Sequence, residues 1–143
     1  MTTTYRPSAT FDGEPDATFE GLPKFCLIVD DSSTIRKFSA RLLKSMNFIV
    51  GEAEHGLAAV EACRLIVPDL ILLDWNMPEM DGITCLRAVR AMNLEPRPII
   101  VMCTTENVLP KITEALAAGA DEYIMKPFDR DVLRDKLSQL ELI

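Results

Sequence analysis

Short apolar runs alternating with amphipathic segments predict an α/β fold, a doubly wound five-stranded parallel sheet with helices on both faces. Two further observations support it. Three of the runs are nearly continuous in apolar residues, as strands buried on both faces must be. The 143 residues, 48% of them apolar, suffice for one continuous core and leave little for a second domain. Residues 1–22, rich in Thr, Pro, Asp and Glu and interrupted by Pro7 and Pro15, show no period and read as a flexible N-terminal tail. Residues 23–143 carry the folded domain.

The predicted strands are Phe25 to Val29, Ile49 to Ala53, Leu70 to Leu73, Ile99 to Met102 and Glu122 to Met125. In the first helix Ile35, Phe38, Leu42, Leu43 and Met46 recur at helical spacing, with Arg36, Lys37, Arg41 and Lys44 on the other face. Val60, Cys63 and Ile66 mark the second helix. Ile83, Leu86, Val89 and Met92 mark the third, and Ile112 and Leu116 the fourth. Pro110 fits the first turn of the fourth helix, where no backbone donor is needed, and Gly119 fits its C-terminal end. Asp129 suits the N-cap of a fifth helix carried inward by Leu133, Leu137 and Leu140.

With 22 acidic and 15 basic residues the formal charge is -7, and no cluster of Lys and Arg offers a surface to a phosphate backbone; nucleic acid is not an expected partner. Cys26, Cys63, Cys85 and Cys103 are far apart in sequence and form no C-x-x-C pair. They read as reduced core thiols. No apolar run reaches the ~18 residues of a membrane-spanning helix, and no signal-type segment opens the chain, so the expectation is a cytoplasmic protein without membrane insertion.

In an open α/β sheet, ligands gather outside the carboxyl ends of the strands. Those positions hold Asp30 and Asp31 after the first strand, Asp74 after the third, Thr104 after the fourth, and Lys126 followed by Pro127 after the fifth. Three carboxylates, a hydroxyl and an ammonium would converge there. Hard oxygen donors in that number suit Mg2+. A carboxylate can attack phosphorus and form an aspartyl phosphate, while a divalent ion and an ammonium neutralise the phosphoryl oxygens. Each piece also has an ordinary reading: Asp31 could cap a helix through Ser33 or Thr34, Lys126-Pro127 could be a turn, and Thr104 a strand end. Their conjunction in strand order favours phosphoryl chemistry.

The stretches LIVDDSSTIRKF, LILLDWNMPEMDGI, VMCTTEN and GADEYIMKPF resemble the signatures of bacterial two-component receiver domains, and the likeness runs from Lys24 to Ile143. The nearest likeness is to single-domain chemotaxis regulators of the CheY type. That resemblance implies a flavodoxin-like (βα)5 fold with strand order 2-1-3-4-5. It implies Asp74 as phosphoacceptor, with Asp30, Asp31 and the backbone carbonyl of Asn76 arranging the magnesium and its waters. Lys126 would contact the phosphoryl group, Thr104 would swing to bond it, and Tyr123 would turn inward in response. The Lys126–Pro127 peptide would be cis. Asn76 and Glu106 would flank the attacking water and set a short-lived phosphoform, although Thr105 is larger than the Ala or Gly usual after the switch threonine.

The same resemblance implies a histidine kinase or histidine phosphotransfer protein as phosphodonor, docking near Ser32, Ser33, Arg36 and Lys37. The output surface would comprise the fourth helix, fifth strand and fifth helix, including Tyr123, Lys111 and Glu122. With no effector domain after Ile143, output would be through a protein target, with the flagellar motor switch as first expectation. A cell-cycle or stress-response regulator, or a phosphate sink, is the alternative. A dehalogenase-type phosphatase would need a second carboxylate two residues after its nucleophile, where this chain has Asn76. A flavin carrier would need a Ser/Thr/Gly-rich phosphate loop where Asp30 and Asp31 stand. Trp75 is a packing residue that could report metal binding, His55 a loop residue, and Met77 a partly exposed one.

Overall fold

The computed structural model describes residues 22–105 and 109–143. Ten elements alternate: β1 (Lys24–Val29), α1 (Ser33–Lys44), β2 (Phe48–Ala53), α2 (Gly56–Leu65), β3 (Leu70–Asp74), α3 (Gly82–Ala91), β4 (Ile99–Thr104), α4 (Leu109–Ala118), β5 (Glu122–Met125) and α5 (Arg130–Gln139). All strand pairs are parallel, in the order β2-β1-β3-β4-β5. The five predicted strands are present, with ends within two residues of those expected.

Because successive strand residues face opposite sides, each strand feeds two cores. Leu27 and Val29 of β1, Ile71 and Leu73 of β3 and Ile100 and Met102 of β4 pack with Ala59 and Cys63 of α2, Leu86 and Val89 of α3 and Ala115 of α4. The alternate residues Cys26, Ile28, Leu70, Leu72, Val101 and Cys103 pack with Ala40 and Leu43 of α1 and Leu133 and Leu137 of α5. All five residues of β3 are buried, as its unbroken apolar run requires of the central strand.

Helices α1, α2, α3 and α5 start where side chains satisfy their first amide groups. The Ser32 hydroxyl accepts from Ile35 N, Asp81 from Thr84 N and Asp129 from Val132 N. His55 is no simple loop residue: its Nδ1 accepts from Ala58 N and caps α2. Pro110 lies in the first turn of α4, and Gly119 follows that helix at φ +117°, a conformation glycine adopts freely.

Several residues of the expected apolar stripes stay in solvent. Ile66 falls one residue past α2 and is 63% exposed, and Phe38 and Leu116 remain exposed on α1 and α4. Phe38 stacks at a tilt on Phe128, 6.5 Å between ring centroids, at the rim of the α1–α5 core. Met77, expected to be partly exposed, is buried in the core beneath α2 and α3. The β3–α3 loop folds inward there rather than outward.

Candidate functional site

The parallel registers bring the strand ends to one edge. Val29 pairs with Leu73 and Asp74 with Cys103, while Thr104 pairs with Met125, so Asp30, Asp74, Thr104 and Lys126 follow one another across the sheet. Asp30, Asp74 and Thr104 are buried, whereas Asp31 is exposed. Oxygens of Asp30, Asp31 and Asp74 lie within 4.8 Å of one another. Lys126 Nζ donates to Asp74 Oδ1 at 2.8 Å and to Asp30 Oδ2 at 3.0 Å. The Lys126–Pro127 peptide is cis, as is Glu95–Pro96, which nothing in the sequence had singled out. Lys126 N donates to Thr104 O at 2.8 Å, which ties the lysine to the end of β4.

Burial raises the Asp74 carboxyl above its ordinary range; Lys126 pulls it down through its hydrogen bond and charge, Asp30 and Asp31 push it up, and the net shift is upward. For Lys126, burial acts downward, but hydrogen bonds to Asp74 and Asp30 and the charges of both carboxylates outweigh it, so its affinity for a proton rises. Three carboxylates against one ammonium leave an excess of two formal negative charges around a small space. Only oxygen donors face that space from the three acids. Such a set suits a hard divalent cation that keeps part of its water shell.

The backbone around Asp74 is tightly packed. Gly82 N donates to Trp75 O at 2.8 Å, and a Cβ on Gly82 would run into the Asp74 carbonyl oxygen. Glycine is the residue that lets α3 start this close to β3. Trp75 is 7% exposed and belongs to the core, in keeping with its packing role, and Asn76 is exposed at the mouth of the loop. Glu106 lies outside the described residues. Tyr123 is half-buried, with Lys136 Nζ 5.4 Å from its ring centroid and 3.6 Å from Glu122 Oε1.

Two arrangements differ from the sequence reading. Asp31 does not cap α1; the Ser32 hydroxyl does, and the preceding Asp30 Oδ1 accepts from Ser32 N at 2.9 Å. Arg36, expected on the solvent face, is turned inward: Nη1 donates to the Asp30 carbonyl oxygen at 2.7 Å and Nε to Glu52 Oε1 at 2.9 Å. A second missed group lies at the opposite pole of the sheet, where Arg90 donates to Asp121, Gly119 O and Pro98 O and joins the α3 end to the loops that lead into β4 and β5. The sequence carries no signal that singles out Arg36 from Lys37, because the acceptor it meets is a main-chain oxygen.

Residues 26–138 match the family described as the response regulator receiver domain. The chain is 42% identical over 113 residues to chemotaxis protein CheY1 of Helicobacter pylori, covering 78% of this chain and 91% of that protein. Its structure is similar to that of chemotaxis protein CheY4 of Vibrio cholerae, with a TM-score of 0.78 and 32% identity, over 82% of this chain and 98% of that one. It is also similar to the receiver domain of a Pseudomonas aeruginosa sensor histidine kinase, a structure with a magnesium ion coordinated in its active site cleft; there the TM-score is 0.74 and the identity 27%, over 82% and 96% of the two chains. No helix among the described residues is long and apolar enough to cross a membrane. Strand order, the acidic edge of the sheet and a family match across nearly the whole folded region agree, and the chain belongs to the receiver-domain family of response regulators.

Proposed function

We propose that this receiver domain takes a phosphoryl group on Asp74 from a histidine kinase or histidine phosphotransfer protein and thereby switches a protein–protein contact in chemotaxis. The observation that carries this reading is the placement of Lys126 Nζ, 2.8 Å from a buried carboxylate that has two further carboxylates beside it. An Asp74 oxygen attacks phosphorus while the phosphorus–nitrogen bond to the donor imidazole breaks. The bonding pair leaves with the imidazole nitrogen, and an acyl phosphate remains on Asp74.

Asp30, Asp31, Asp74 and the Asn76 carbonyl would hold Mg2+, which supplies charge neutralisation for the phosphoryl oxygens. Lys126 shares that task from the other side. Its bond to Asp30 keeps the ammonium in place when Asp74 changes its charge. Thr104, buried at the end of β4, supplies a hydroxyl to the phosphoryl group and carries the following loop with it. Tyr123 then turns inward from its half-buried position beside Lys136. Asn76 and Glu106 set the rate at which water removes the phosphoryl group.

The output surface is the α4–β5–α5 face; Leu109, Lys111 and Leu116 of α4 and Val132 of α5 are exposed, and Tyr123 of β5 is half-buried. Its target in this reading is the flagellar motor switch.

Incubation with acetyl phosphate and magnesium, followed by intact mass, tests the chemistry. Wild type is expected to gain one phosphoryl mass that EDTA prevents, and Asp74→Asn none. Equal labelling of both proteins, or none of wild type even with a phosphohistidine donor, would refute Asp74 as the acceptor.

A further inference from the structure

We infer that Arg36 is a positioning residue for the metal-binding acids, acting through the backbone of Asp30; this rests on the magnesium site proposed above. Asp30 is held at each of its polar atoms. Its N donates to Ala53 O at 3.1 Å, Oδ1 accepts from Ser32 N at 2.9 Å, and Oδ2 accepts from Lys126 at 3.0 Å. The fourth contact, to its carbonyl oxygen, is the 2.7 Å bond from Arg36 Nη1.

That carbonyl belongs to the peptide that leads into Asp31, so its orientation sets where both carboxylates point. Among the described residues the β1–β2 ladder ends at Val29 and Ala53, before this carbonyl. Arg36 supplies the missing donor from above, and its own orientation is fixed by the 2.9 Å bond of Nε to Glu52 Oε1 near the end of β2. The planar guanidinium fork reaches both acceptors at once. Its side chain is 14% exposed, which sets it apart from the solvated basic residues of α1.

Positioning and plain electrostatics make opposite predictions, and this separates them. Arg36 is a cation close to a site for a cation. If charge alone mattered, Arg36→Ala would remove repulsion, leave Glu52 uncompensated and tighten magnesium binding. If Arg36 holds the Asp30–Asp31 peptide, the same substitution loosens the site and weakens binding. Outer groups that orient metal ligands typically contribute a factor of ten or more in affinity.

The experiment is calorimetric titration of the full chain with Mg2+, with Trp75 fluorescence in parallel and thermal unfolding in EDTA as a control for folding. Arg36→Ala is expected to raise the Kd about tenfold. Arg36→Lys keeps the charge but has no fork to span Asp30 O and Glu52, so it is expected to bind as weakly as the alanine variant. Glu52→Gln, which keeps an acceptor oxygen, is expected to lose only a few-fold. An unchanged or tighter Kd in a folded Arg36→Ala protein, or a wild-type Kd in Arg36→Lys, would overturn the inference. Failure of wild type itself to bind magnesium would instead overturn the metal site on which the inference rests.

Discussion

A carboxylate buried beside two others is unfavourable to ionise, and Asp74 carries that cost in the metal-free protein despite its bond to Lys126. Its folded titration point lies above the ordinary value of 3.8, so the folded state binds the proton more tightly than the unfolded state does. The sign follows from linkage: this group penalises folding little below pH 3.8, and increasingly as pH rises through its folded value. Asp74→Asn removes the charge while Lys126 keeps Asp30 as a partner. In EDTA at pH 7 the variant is expected to melt at a higher temperature than wild type, with the difference shrinking toward pH 3. A lower melting temperature at pH 7 would mean that the Lys126 pair outweighs burial and repulsion. At this scale the gathering of Asp30, Asp74, Thr104 and Lys126 at one edge is legible in the sequence, because each ends an apolar run. The sequence could not show that Arg36 is drawn inward, since a helical pattern assigns any cation to the polar face and the acceptor it meets is a main-chain oxygen.

The helices begin at caps, and the α5 cap can be tested without touching the site. Asp129 Oδ1 accepts from Val132 N at 2.9 Å, and α5 buries Leu133 and Leu137 against the sheet. Substituting an N-cap aspartate by alanine costs about 1 kcal/mol. Asp129→Ala is therefore expected to lower the melting temperature by roughly 3 °C for a domain of this size. Magnesium affinity should stay at the wild-type value. A change in affinity would show that α5 is coupled to the acidic edge through Lys126, whose loop it follows. Element positions are largely legible because period and caps are local properties: an Asp just before the α5 stripe, as at Asp129, reads as a cap. His55 does not, because imidazole seldom serves as an N-cap acceptor, and Ile66 reads as part of α2 because helical spacing continues one residue beyond the helix itself.

Across the whole molecule, strand order was the property that local pattern could not supply. Apolar periodicity says that Leu70–Leu73 is a central strand, yet not which strands flank it; the order came from the resemblance of the motifs. One consequence of the two-faced sheet was foreseen only in outline, the burial of every thiol. Cys26 and Cys103 lie on the sheet face covered by α1 and α5, Cys63 and Cys85 are buried residues of α2 and α3 in the core on the other face, and all four are free. Burial pushes Cys63 up to about 11 and Cys85 up to about 12, the latter helped by its neighbour Cys63. Cys103 rises to about 12, chiefly by burial, with Lys126 opposing and Asp74 and Asp30 reinforcing the shift; Cys26 also rises well above its ordinary range. In the unfolded chain these thiols ionise near 9.0. Their contribution to stability is thus fully present below pH 9.0 and is lost as pH rises toward the folded values, because only the unfolded state gives up the protons. Each such thiol adds about 1.4 kcal/mol per pH unit to the decline. Urea unfolding between pH 8 and 10.5 is expected to show flat stability that turns steeply downward above pH 9. Cys63→Ala should lessen that slope by one thiol's share, since it removes one of the groups that titrates only after unfolding. An unchanged slope in the variant would show that Cys63 ionises in the folded protein, and thus that α2 opens without the rest of the sheet.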